Sequence, residues 1–136
     1  MNYEDYLIKI NSVENKQERE DLENIITQIN RSSSKIEFHI GDLFHDSNTS
    51  DINSELLLKI EKTLNLILVE EEKTNVCFAN NEEVRPEYKE SFKLEDLLDY
   101  MYAFVYSSFY KRSKLVIIGS ETILFWELAG MGKTYQ

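Results

Sequence analysis

KLEDLLDYMYAFVYSSFYKR (residues 93–112) sets the architecture of this chain. Leu94, Leu97, Leu98, Met101, Val105 and Phe109 recur at intervals of three and four, which gathers them on one face of an α-helix. Acids occupy the first turns, and Lys111 and Arg112 the last, as the helix dipole prefers. Tyr102, Tyr106 and Tyr110 form a second stripe at four-residue spacing. A helix that is apolar on two sides is either central to a core or shared with a partner, and the core is the expected role here. The rest of the chain is expected to pack around it.

On its C-terminal side, LVIIG (115–119) reads as a short, fully apolar strand, and SETILFWELAG (120–130) as a helix capped by Ser120 and ending near Gly130. On its N-terminal side, NNEEVRPEYKESF is polar, holds the single proline and predicts an irregular connection. LILVEEE and TNVCFAN predict two strands, although one helix continuing through Val69 fits the apolar spacing almost as well. SELLLKIEKTLN predicts a helix capped by Asp51 or Ser54, and GDLFHDSNTSD before it a polar loop. Lys35–Ile40 alternates apolar and polar side chains with the period of a half-buried strand. A helix from Ser12 through Asn30, ended by RSSS, and a shorter one over NYEDYLIKI complete the order α-α-β-α-β-β-α-β-α. This is an α+β pattern, a small mixed sheet with helices in a single domain spanning residues 1–136.

The 42% hydrophobic content, with eight Tyr, seven Phe and one Trp in 136 residues, suffices for an ordinary core. No run of about 18 apolar residues is present to span a bilayer, and MNYEDYLIKI carries acids where a signal peptide needs bases, so a cytoplasmic protein with no membrane partner is expected. Cys77, the single cysteine, has apolar neighbours and is expected to be a core thiol. The net charge of −10 is unevenly spread: residues 42–99 hold fifteen acids against six bases, while residues 100–136 hold two against four. Such a field repels phosphate backbones and steers basic proteins toward the surface, so direct binding of nucleic acid is disfavoured.

Motifs that promise chemistry fall short of what the chemistry needs. GMGKT (130–134) resembles the end of a phosphate-binding loop, but that loop requires glycine five residues before Gly132, where Glu127 stands. His39, Asp42, His45 and Asp46 supply ligand types for a divalent ion at a spacing that matches no compact metal signature. Neither histidine can be paired with a nucleophile from the sequence. No cofactor, no metal and no catalytic residue is therefore expected, and binding is the expected activity.

Two resemblances bear on function. EDLLDYMYAFVYSSFYKRSK followed by LFWELAGMGK (within 95–133) resembles the C-terminal segment of adenine-specific restriction-modification methyltransferases. Asp99, Tyr100, Tyr102, Ser107 and Tyr110 match one helix of that segment, and Phe125, Trp126, Leu128, Gly132 and Lys133 a second. No Asn-Pro-Pro-Tyr or Asp-Pro-Pro-Tyr motif is present, so the likeness implies shared packing and an accessory place in a DNA restriction or phage-defence assembly, not methyl transfer. In size, acidity and composition the chain is also similar to bacterial immunity proteins, which neutralise a cognate toxin domain, often a basic nuclease. That likeness implies a partner-binding surface in which Glu70, Glu71, Glu72, Glu82 and Glu83 stand in for substrate phosphates and Tyr88 is the aromatic anchor.

Overall fold

The computed structural model describes residues 3–11, 20–44, 52–69 and 90–135. Seven helices and four strands follow one another among them. They are α1 (Tyr3–Asn11), α2 (Glu20–Asn30), β1 (Lys35–Phe38), α3 (Ile40–Leu43), α4 (Ser54–Leu64), β2 (Ile67–Val69), β3 (Ser91–Lys93), α5 (Leu94–Phe104), α6 (Ser108–Ser113), β4 (Val116–Gly119) and α7 (Thr122–Tyr135). The α+β class holds. The described strands form two ladders of two: β1 antiparallel to β4, with Ile36 opposite Ile118, and β2 parallel to β3, with Leu68 opposite Phe92. The expected strand TNVCFAN and Cys77 lie outside the described residues.

The stretch 93–112 is central, as its two apolar stripes require, but it is two helices and not one. Ser107 takes extended backbone between them, and its hydroxyl accepts from the Tyr110 amide at 3.1 Å, capping α6. Serine competes in this way with helical hydrogen bonding, which is why it favours helix starts over interiors. Glu23 of α2 holds the break from outside: its carboxylate accepts from the Ser108 amide and from the Ser108 hydroxyl, each at 2.8 Å. Tyr102 and Tyr106 are buried and Tyr110 half-buried, so the second stripe belongs to the core.

Helix α5 packs chiefly on α7. Tyr100 stacks between Phe104 and Phe125, with ring centroids 6.0 and 5.1 Å away, and donates its hydroxyl to the Ile117 carbonyl at 2.5 Å. One side chain thus joins α5, β4 and α7. Gly132 lets the last of these approach: a Cβ there would collide with the Asp99 carbonyl, so the two helices meet backbone to backbone. Helix α7 accordingly runs through Gly130 and Gly132 to Tyr135, past the stop expected near Gly130. Packing of its apolar face outweighs a glycine penalty of about 1 kcal/mol per residue.

Two further expectations are corrected. Asn53, not Ser54, caps α4, its side-chain oxygen accepting from the Leu56 amide at 3.2 Å; Asp51 lies outside the described residues. The helix stops at Leu64 because Asn65 adopts the left-handed conformation, φ 59°, which frees Ile67–Val69 to pair as a strand. The start of the expected polar loop GDLFHDSNTSD instead belongs to α3, a four-residue helix whose Ile40 and Leu43 are buried.

Candidate functional site

Glu70, Glu71, Glu72, Glu82, Glu83 and Tyr88, the expected partner-binding residues, all lie outside the described residues. The same holds for His45 and Asp46. His39 and Asp42 are described, and their roles are structural. The Asp42 carboxylate accepts from the His39 amide at 3.3 Å, closing the first turn of α3, and His39 Nδ1 lies 3.2 Å from the Lys114 carbonyl. Among the described residues no three groups of His, Cys, Asp or Glu gather as metal ligands would.

A polar cluster lies where α1 meets α5. Tyr6 donates its hydroxyl to the Leu98 carbonyl at 2.5 Å, beside the buried Asp99. Lys9 Nζ sits 5.5 Å above the Tyr102 ring, Tyr102 packs on Tyr106 at 5.8 Å, and Tyr106 on Tyr135 at 4.8 Å. Burial pushes the Tyr6 phenol well above its ordinary range, with the Asp99 charge adding to the effect. Tyr102 is raised by burial and by its hydrogen bond with Tyr106, and Tyr100 by burial. All three shifts lead away from neutral pH. These phenols are donors that stay protonated, suited to fastening helices together and ill suited to acting as bases.

The described surface is another matter. Asp21, Glu37, Glu55, Glu121 and Glu127 are exposed, and none of their carboxylates makes a hydrogen bond or an ion pair among the described residues. Three shallow depressions are bordered by them. One, of about 510 Å³, lies between β1, α3 and α4, with Glu37, Asp42 and Glu55 around its mouth and Lys59 at its edge. The other two, of about 490 and 420 Å³, follow the seam between α2 and α7 and share Glu127. The first of these is lined by Asp21 with Met131 and Tyr135, the second by Gln28 and Arg31 with Glu121 and Leu124. The start of α2 therefore lies by the end of α7, and the two helices are antiparallel.

Reading along the sequence singles out the acids of residues 70–72 and 82–83, whereas Glu121 and Glu127 stand alone and Asp21 belongs to the acidic first turn of α2 with Glu20 and Glu23. One signal does mark two of them: Glu121 and Glu127 are the sole acids after residue 99. The residues that resemble the methyltransferase segment are mostly interior, with Tyr100, Phe125, Leu128 and Gly132 all buried. No helix of the described residues is long and apolar enough to cross a membrane. No family model, no curated protein and no solved structure matches the chain.

Proposed function

We propose that this protein binds and neutralises a basic protein, as an immunity protein does when it masks the active site of a cognate nuclease toxin. One observation carries the reading: the acidic charge is not cancelled within the molecule. The carboxylates of Asp21, Glu37, Glu55, Glu121 and Glu127 are exposed and without a partner among the described residues, and the strongest acid excess of the chain lies in residues 42–99. Uncancelled carboxylates destabilise the fold slightly through self-repulsion, and they accelerate encounter with a partner of opposite charge. In this reading Glu70, Glu71, Glu72, Glu82 and Glu83 supply charge to the interface and Tyr88 supplies an anchor. The protein acts in the cytoplasm, where its own cell must be protected, and acts by occupancy, with no cofactor.

The test is genetic. The reading frame adjacent to this one in its genome is expressed alone and together with this chain. Growth arrest by the neighbour, relieved by co-expression, is the expected result. A harmless neighbour, or arrest that co-expression does not relieve, argues for the second reading, an accessory module of a DNA restriction or phage-defence assembly. That reading draws on the likeness in residues 95–133, of which Asp99, Tyr100, Phe125 and Gly132 are occupied in packing α5 against α7.

A further inference from the structure

We infer that the seam between α2 and α7 is the surface on which the basic partner docks, and that it receives an amphipathic helix carrying lysine or arginine along one side. This rests on the reading of the protein as a binder of a basic partner, and adds to it a place and a shape.

The seam combines an apolar floor with an acidic rim. Ile123 is 49% exposed, and Leu124, Met131 and Tyr135 are half-buried along the same line. Asp21, Glu121 and Glu127 border it, against a single base, Arg31. None of the three carboxylates is engaged within the described molecule. The placement is not a consequence of general acidity, because residues 100–136 are basic on balance and both of their acids line this seam.

Shape and charge then select the occupant. The eleven residues of α2 are about 16 Å long, three turns, and a groove between two antiparallel helices of that length accepts the apolar face of a third helix. An acidic rim complements bases flanking that face. A nucleic acid would bring phosphates to the carboxylates, and a second copy of this chain would bring another net charge of −10. A basic amphipathic helix of another protein satisfies floor and rim together.

The test uses the full chain, isotopically labelled, and two synthetic peptides of about three to four helical turns. One carries Leu and Lys at helical spacing; the other has the same composition scrambled. Amide shifts on adding the patterned peptide are expected to be confined to α2 and α7. The exposed-site variant D21K/E127K, native by circular dichroism, should bind about ten-fold more weakly, and Ile123→Ser several-fold more weakly. The scrambled peptide should bind at least ten-fold more weakly than the patterned one. Shifts scattered over the other acidic surfaces, with equal affinity for both peptides, would overturn the seam while leaving the basic-partner reading intact. Failure of both peptides to bind at low salt would overturn both readings. Sedimentation of the free chain completes the test, since a dimer dissolved by D21K/E127K would make a second copy the occupant and sink the proposal.

Discussion

Tyr100 and Gly132 fix the contact between α5 and α7 from opposite directions, one by reaching out and the other by having nothing to put in the way. Tyr100→Phe removes the donor to the buried Ile117 carbonyl and should cost about 1–3 kcal/mol, read from the urea midpoint. An unchanged midpoint would mean that the carbonyl is satisfied without the phenol. At Gly132 two effects compete. Alanine gains about 1 kcal/mol of helix propensity, but its methyl group meets the Asp99 carbonyl, a backbone atom that cannot swing aside. Overpacking of this kind costs about 1–3 kcal/mol, so Gly132→Ala should destabilise. Gly130→Ala, where the added carbon meets nothing within 4 Å, should stabilise by up to about 1 kcal/mol. Thermal melts of the two variants should therefore move in opposite directions. The raised phenols add a pH dependence. Tyr6, Tyr100 and Tyr102 keep their protons in the folded state beyond the range where unfolded tyrosine releases them. Their contribution is complete below about pH 10 and is lost as pH rises above it, by up to about 1.4 kcal/mol per pH unit for each phenol. Phenolate absorbance from these residues should emerge together with loss of the fold. Emergence near pH 10 in a still-folded protein would contradict the burial argument.

The helix breaks show how far local signals reach. The spacing in 93–112 predicts helix correctly almost throughout, and what it hides is the break at Ser107, because the group that steadies it is Glu23, 85 residues away. The reverse error occurs in α7, where Gly130 reads as a stop signal and the helix instead runs on to Tyr135, with Gly132 serving as a packing device against Asp99. At α4 the neighbouring residues Asn53 and Ser54 are both good caps, and nothing in the sequence ranks them. Ser107→Ala should cost about 1 kcal/mol through loss of the α6 cap. Glu23→Ala should cost about 1–3 kcal/mol and speed hydrogen exchange at the Ser108 amide, with Glu23→Gln intermediate. Unaltered exchange at Ser108 would mean that α6 starts there without help from α2.

For the molecule as a whole, the α+β class and the acid excess are legible in the sequence, because both follow from residue type and spacing along the chain. The seam is not, because Asp21 and Glu127 become neighbours only when α2 and α7 lie side by side. If the uncancelled charge serves encounter, association must weaken as salt rises. Between about 0.1 M and about 1 M ionic strength the screening length falls from about 10 Å to about 3 Å, and the association rate should fall roughly ten-fold or more. A rate indifferent to salt would assign the acids to solubility. The most direct measurement is recovery of the tagged protein from its native host at low and then high salt, with identification and quantitation of whatever accompanies it. A basic, nuclease-like domain in near-equal amount at low salt, depleted at high salt, is the predicted result. A methylase or helicase subunit in its place, or no companion at either salt, would contradict the account.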